Sequence, residues 1–95
     1  MTASTLTVAN ELIERAGLAT GIPHSRICSR NKTTRLVRIR WAIIRALRVR
    51  HVWTLVEIGD LFGFDHSSVI HALNRSASLM RKDKWFAALC KTLAK

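Results

Sequence analysis

Apolar residues recur along this chain at intervals of three and four positions, and little of the sequence alternates between apolar and polar residues. The first spacing places side chains on one face of an α-helix, whereas alternation is typical of a half-buried β-strand. Only one Pro and four Gly interrupt the pattern. The sequence therefore predicts an all-α fold, a compact helical domain that spans residues 1–95.

The first half of the chain predicts three helices. The first covers residues 7–19, and Pro23 opens a short second helix that runs through Cys28, because the first turn of a helix does not need the missing N–H. A polar, basic loop follows over residues 29–33, and a long helix covers residues 34–50. The core positions of the first helix are Val8, Leu12, Ile13 and Ala16. Those of the long helix are Leu36, Ile39, Ile43 and Leu47, widened by Val37 and Ile44.

Short-range signals mark the helix ends in the second half. Thr54 and Glu57 have the spacing of a capping box, so a helix begins there, and Gly63 is a natural residue to end it. Asp65 is placed to cap the next helix. The core positions of that helix are Val69, Ala72, Leu73, Ala77 and Met80. A last helix over residues 84–93 is expected to pack Trp85, Leu89 and Leu93.

Two short helices joined by the tight turn Gly63-Phe64 make a helix-turn-helix. The second helix opens with small polar residues over 65–68, which let a helix N-terminus enter a DNA major groove closely and offer donors and acceptors to base edges. The simpler interpretation is that Asp65, Ser67 and Ser68 only cap the helix. The preceding capped helix and the strong positive charge of the chain favour DNA binding over capping alone.

The chain carries 16 Lys and Arg against 6 Asp and Glu, a formal charge of +10 with a pI near 11.4. So large a positive charge on a small domain indicates an anionic partner. No acidic residue lies between Arg15 and Arg50. Four arginines share one arc of the long helix and are expected to attract phosphate independently of sequence. They are Arg35, Arg38, Arg45 and Arg48.

Residues 58–72 read Ile-Gly-Asp-Leu-Phe-Gly-Phe-Asp-His-Ser-Ser-Val-Ile-His-Ala. This stretch resembles the signature of the C-terminal DNA-binding domain (domain IV) of the bacterial replication initiator family DnaA, in which the turn glycine and the recognition residues occur together. The resemblance covers about residues 8–82, including the basic loop and the Arg-rich helix. It implies a Trp-repressor-like helical fold and a role in replication or transcription control.

Residue by residue, the resemblance implies a site on double-stranded DNA. The family reads the major groove through four positions, here Asp65, His66, Ser67 and Ser68. A basic loop side chain enters the adjacent minor groove, and the matching residue is Lys32, with Arg30 nearby. Phosphate contacts fall on Arg38 and Arg40, although the helical angle of Arg40 lies nearer the apolar side. The implied targets are DnaA-box-like sites at origins or promoters, in competition with full-length DnaA.

The chain departs from the family pattern at the reading positions. Phe64 stands where the family usually has Arg or Lys, and the turn is one residue shorter than in many members. Ser67 and Ser68 replace Thr and so lose methyl contacts to thymine. Lys32 replaces Arg, which weakens recognition of a narrow minor groove. We therefore expect the target sequence to have drifted from that of the family.

Other classes of function fit the sequence less well. A basic helical module that binds an acidic protein partner is the main alternative, and the aromatic Phe64 at the turn favours it. RNA binding lacks the usual aromatic stacking platform, because Trp41, Trp53 and Trp85 have the spacing of core or rim residues. With only six carboxylates and no acid–base pair, an enzyme is the least favoured class.

The sequence predicts no metal and no cofactor. His66 and His71 lie five positions apart rather than at the spacing of a helical metal pair, so His71 is expected to pack within the domain. Cys28 and Cys90 form no disulfide or zinc pattern and are expected to be core thiols in a reducing cytosol. Residues 1–10 lack the charge pattern of a secretory signal, so a cytoplasmic, nucleoid-associated protein is expected. The oligomeric state stays open.

Overall fold

The computed structural model describes residues 3–94, with side chains from residue 7 onward. Along this part of the chain six helices and no strand are found, which confirms the predicted all-α class. The helices are α1 (Ala3–Thr20), α2 (His24–Ile27), α3 (Thr34–Val49), α4 (Leu55–Phe62), α5 (His66–Lys82) and α6 (Lys84–Leu93). Met1, Thr2 and Lys95 belong to the predicted domain but lie outside the described residues.

The long helix α3 lies at the centre and packs against each of the other five helices. Its predicted core positions are confirmed except for Val37, which is half-buried; Leu36 is 2% exposed and the others are fully buried. Burying an aliphatic side chain of this size contributes roughly 1.5–3 kcal/mol, so this stripe is a main source of stability. The fully buried members are Ile39, Ile43, Ile44 and Leu47.

The predicted caps are present. The Thr54 hydroxyl accepts a hydrogen bond from the Glu57 N–H at 3.1 Å, and the Glu57 carboxylate accepts one from the Thr54 N–H at 2.9 Å. These bonds lower the pKa of Glu57 below its ordinary value. Gly63 ends α4 in the left-handed region at φ 70°, and Asp65 caps α5. Local sequence thus determines where α4 begins and ends and where α5 begins.

Two predicted core positions are displaced by one residue. In α5 the buried residue is Ser76 rather than Ala77, because the Ser76 hydroxyl donates to the Leu73 carbonyl oxygen at 2.8 Å and is thereby satisfied. In α6 the fully buried aromatic is Phe86, whereas Trp85 is half-buried. The spacing 86, 89, 93 follows the helical period better than 85, 89, 93.

Smaller corrections concern the first half of the chain. Helix α1 begins at Ala3 rather than at residue 7, because each further residue adds a backbone hydrogen bond without needing a buried side chain. Pro23 is the N-cap of α2 rather than its first helical residue. Cys28 is exposed, so its predicted place in the core is wrong. It follows the single turn of α2, whose buried residue is Ile27.

No helix in the part of the chain that the structure describes has both the length and the apolar character needed to cross a membrane.

Candidate functional site

A cleft of about 750 Å³ separates the basic loop, residues 29–33, from the start of α5. We call it the reading cleft. One wall comes from the loop and α3, and the other from the end of α4, the turn that follows it and the first turns of α5. The first wall consists of Ser29, Arg30, Lys32, Val37, Arg40 and Trp41. The second consists of Phe62, Gly63, Phe64, Asp65, Ser67, Ser68 and His71.

The turn that builds the second wall is closed by backbone contact. The Phe64 N–H donates to the Gly59 carbonyl oxygen at 2.8 Å, and Gly63 takes the positive φ that this turn needs. A Cβ atom on Gly59 would lie 2.5 Å from the Phe64 carbonyl oxygen, closer than atoms tolerate. Glycine at position 59 therefore fixes the approach of α5 to α4 and hence the aim of the α5 N-terminus.

The first turn of α5 presents exposed polar side chains. The Asp65 carboxylate accepts from the Ser68 N–H at 2.7 Å, and this bond lowers the pKa of Asp65 below its ordinary value. Asp65 is thus an ionised cap, as the simpler sequence interpretation proposed for it. His66, Ser67 and Ser68 are exposed. Asp65, Ser67 and Ser68 line the reading cleft, whereas His66 does not.

Aromatic rings form the back of the reading cleft. The Trp41 and His71 rings meet edge to face, with centroids 5.9 Å apart, so His71 makes a contact within the domain although its side chain is exposed. Phe62 and Phe64 stack with centroids 5.8 Å apart. Trp41 and Phe62 were not predicted as site residues, although their places at the border of an apolar stripe were a usable signal.

Arg40 lies beneath the basic loop and is only 4% exposed. Its Nε donates to the Ile27 carbonyl oxygen at 2.7 Å, and its Nη1 donates to the Asn31 carbonyl oxygen at 2.6 Å. Its Nη2 reaches the Arg26 carbonyl oxygen at 3.3 Å and the Ser29 hydroxyl at 3.4 Å. The guanidinium that the resemblance assigned to phosphate is therefore engaged inside the protein.

The other predicted loop residues face outward. Arg30 and Lys32 are exposed and line the reading cleft. The loop is also held by its own side chains, since the Asn31 amide oxygen accepts from the Thr33 N–H at 2.9 Å. Lys32 therefore lies between Asn31 and Thr33, which are joined by this hydrogen bond, and its side chain is exposed.

The four arginines that share one arc of α3 separate into different environments. Arg38 is paired with Asp83 at 2.6 Å, and Arg35 lies over the Trp85 ring at 4.9 Å from its centroid. Arg48 donates to the Trp53 carbonyl oxygen at 2.8 Å. Arg45 lines a separate groove of about 220 Å³ against α5 and α6. None of the four lines the reading cleft.

Arg38 nevertheless lies beside the site. A second groove, of about 240 Å³, shares Lys32, Val37 and Trp41 with the reading cleft and adds Arg38 and Arg75. The exposed basic surface thus continues from the loop along α5.

Other chemistry is sparse among the described residues. No three His, Cys, Asp or Glu side chains there are placed to hold a metal ion. Burial raises the pKa of the half-buried Cys90 thiol to about 11 and raises that of Cys28, which the charge of Arg40 partly offsets. Both thiols are therefore protonated at neutral pH.

Comparisons with known proteins point to one family. The chain is similar to the chromosomal replication initiator proteins DnaA of Mycoplasma pneumoniae and Mycoplasma genitalium, with 32% identity over 72 residues in each case. The match covers 76% of this chain but 16% of each relative, and it falls in the C-terminal region. No family model matches the chain. The six-helix structure agrees with a fold like that of DnaA domain IV.

Proposed function

Because this chain is similar to the C-terminal region of DnaA, we propose that it is a sequence-specific module for double-stranded DNA. In this proposal the start of α5 enters the major groove and the basic loop enters the adjacent minor groove. One observation supports it: Lys32 of the loop and Ser68 of α5 line the same open cleft.

The cleft has the form that such binding requires. A single sugar–phosphate strand separates a major groove from the neighbouring minor groove, so a protein that enters both must straddle that strand. The reading cleft places cationic Arg30 and Lys32 on one side and the α5 N-terminus on the other. Backbone N–H groups at a helix N-terminus and basic side chains both favour phosphate between them.

Base selection is assigned to the exposed residues of the first turn of α5. His66, Ser67 and Ser68 supply donors and acceptors, and their short side chains let the helix backbone approach the groove. Asp65 holds the turn in place as its ionised cap. Phe64 sets the turn by stacking on Phe62, in place of the basic side chain usual in the family.

Attraction without sequence preference comes from the charge of the domain. The formal charge is +10, and Arg35, Arg38, Arg45 and Arg48 lie on the same long helix. If about six phosphates are neutralised, the logarithm of the binding constant falls with that of salt at a slope near −5. Arg40 adds to the field but is too enclosed to bind a phosphate directly.

The biological role that follows is site occupation rather than catalysis. We propose that the chain occupies DnaA-box-like sites at origins or promoters, where it competes with full-length DnaA and acts in replication or transcription control. Its place in the cell is then the cytoplasm, at the nucleoid. Binding to an acidic protein partner is less favoured, because Phe64, the residue that suggested it, is half-buried against Phe62.

The experiment is an affinity comparison at several salt concentrations, using fluorescently labelled duplexes. One duplex carries a DnaA-box-like site, and the control carries the same bases in scrambled order. A preference of at least about a hundredfold that persists at high salt is the expected result, within the range of specific DNA-binding proteins. Equal affinities that fall steeply with salt on both duplexes, and on duplexes selected from a random pool, would contradict the proposal.

A further inference from the structure

We propose that Arg40 is a positioning residue that holds the basic loop in the shape needed to present Lys32 to the minor groove. Its part in shaping the loop stands on the free protein alone, and its part in recognition rests on the proposed DNA binding. The four hydrogen bonds of the Arg40 guanidinium are the starting observation.

The bonds of Arg40 run from the end of α2 to Asn31, the residue that precedes Lys32. Two of them end on the carbonyl oxygens of Arg26 and Ile27, in the last turn of α2. The last carbonyl groups of a helix lack helical partners, and a guanidinium satisfies them with favourable charge. Here Arg40 donates to the Ile27 carbonyl oxygen and shares that of Arg26 with Ser29. A third bond reaches the Asn31 carbonyl oxygen, beside Lys32. The segment from α2 to Asn31 is thereby fixed to the core helix α3.

The remaining bonds extend this order to the far side of Lys32. The Ser29 hydroxyl, which Arg40 contacts, donates to the Arg26 carbonyl oxygen at 2.7 Å and lies 3.3 Å from the Asn31 nitrogen. The Asn31 side chain in turn binds the Thr33 N–H. Arg40 thus contacts the Ser29 hydroxyl, which takes part in two of these bonds. The bond to the Thr33 N–H depends on Arg40 only through the position of Asn31.

The geometry requires arginine. A planar guanidinium directs several N–H groups at fixed angles, whereas a lysine ammonium is a single point of charge with rotating donors. Because Arg40 is almost fully enclosed, the carbonyl groups replace the water that a charge normally needs. Arg40→Lys keeps the charge and loses the fork, so it separates loop shape from electrostatic attraction. Arg38→Lys, on the same helix but bonded to Asp83, is the matched control.

The first measurement is backbone hydrogen exchange in the DNA-free protein. Arg40→Lys is expected to speed exchange of the Asn31 and Thr33 amides by about tenfold while the α3 core keeps its protection. Arg38→Lys is expected to leave both loop amides unchanged. Unchanged loop exchange in Arg40→Lys overturns the proposal, and this holds even if no DNA is bound.

The second measurement separates the two grooves. Diaminopurine in place of adenine adds an amino group to the minor groove, whereas uracil in place of thymine removes a methyl group from the major groove. Arg40→Lys is expected to lose most of the wild-type sensitivity to diaminopurine and to keep its sensitivity to uracil. Equal loss of both sensitivities marks a general folding defect and contradicts a positioning role. If the wild type binds all duplexes equally, the proposed function is wrong. The hydrogen-exchange result still tests whether Arg40 orders the loop.

Should Arg40→Lys fail to fold, Ser29→Ala provides the second route. It removes the hydroxyl that links Arg40, Arg26 and Asn31 while leaving the guanidinium in place. A smaller rise in exchange at Asn31 alone, with a partial loss of diaminopurine sensitivity, is expected. No change in either quantity overturns the proposal.

Discussion

The Asp83 carboxylate binds Arg38 through one oxygen and caps α6 through the other. Oδ2 lies 2.6 Å from the Arg38 Nη1, and Oδ1 accepts from the Phe86 N–H at 3.1 Å. Asp83 thus joins the start of α3 to the junction of α5 and α6. It also partly neutralises an arginine beside the reading cleft, since Arg38 lies in the adjoining groove with Lys32.

Asp83→Asn tests both halves of this arrangement. Asn retains a capping oxygen but has no charge for Arg38, so the free energy of unfolding should fall by only about 0.5–1 kcal/mol, as for a partly exposed ion pair. DNA affinity should rise or stay equal, because a negative charge is removed beside a phosphate-binding surface. Chemical denaturation and duplex titration measure the two effects. A large loss of affinity would show that the pair itself holds the interface.

Glycine at position 59 is expected to be indispensable for the turn. Gly59→Ala sets a Cβ against the Phe64 carbonyl oxygen and should lower the free energy of unfolding by about 1–3 kcal/mol. Gly63→Asn is the comparison, since the space around Gly63 is open and Asn tolerates its positive φ. The midpoint of urea unfolding should fall clearly for the first and slightly for the second. A larger fall in the midpoint for Gly63→Asn than for Gly59→Ala would contradict the close approach of Gly59 to the Phe64 carbonyl oxygen.

Val52 carries backbone strain that a substitution should relieve. It adopts φ 56°, a conformation that β-branched residues rarely take, and its side chain is 74% exposed. The Trp53 N–H donates to the Leu47 carbonyl oxygen at 3.1 Å across this turn and holds Val52 in this conformation. Val52→Gly should therefore stabilise the protein by about 1 kcal/mol, seen as a rise in Tm of about 4–8 °C.

The control for Val52 is Val56, which is similarly exposed at 67% but lies within α4. Val56→Gly should lower Tm, because glycine disfavours a helix. Equal effects of the two substitutions would mean that the turn stores no strain.

The caps should make stability depend on acid pH. Because hydrogen bonds lower the folded-state pKa of Asp65 and Glu57, their contribution is fully present at neutral pH and is lost as pH falls through those lowered values. Denaturation across the acid range should show declining stability. In Asp65→Asn the decline should be shallower, since Asn caps without titrating. An identical pH profile in this variant would exclude Asp65 as a contributor.

Single substitutions at the proposed DNA interface should distinguish residues that recognise bases from residues that bind phosphate. His66→Ala should cost about 1–3 kcal/mol on the preferred duplex and little on a scrambled one. Arg75→Ala should weaken both duplexes similarly and reduce the salt slope by about one. Titrations at matched salt measure both. Equal losses on the two duplexes for His66→Ala would remove its assigned role.

The parts of this structure that could be predicted from sequence are those set by nearby residues. Thr54 and Glu57 lie three positions apart, and Gly63 and Asp65 flank one turn, so their roles follow from local chemistry. One-residue errors arose where neighbours compete for a face, as with Trp85 and Phe86. A helix rotates by about 100° per residue, so an apolar pair at a stripe's border fits either phase.

The role of Arg40 shows what sequence alone does not contain. The position of Arg40 on α3 indicated burial. Its partners are the backbone carbonyl oxygens of Arg26, Ile27 and Asn31, and because every residue has such a group, the sequence does not single them out. Which carbonyls it meets depends on how α2 packs against α3. The pairing of Arg38 with Asp83 is likewise a tertiary contact across 45 positions. Family resemblance assigned both arginines to phosphate for lack of this information.

If the start of α5 reads one groove and the basic loop reads the adjacent one, a base-substitution profile will separate the two contributions. The affinity of the wild type is measured for every single base-pair change in its preferred duplex, and the profile is repeated for His66→Ala and Lys32→Ala. We expect the wild-type affinity to depend strongly on base identity, with His66→Ala removing this dependence over one block of positions and Lys32→Ala removing it over an adjacent block. A flat wild-type profile, or uniform loss at all positions in both variants, would contradict it.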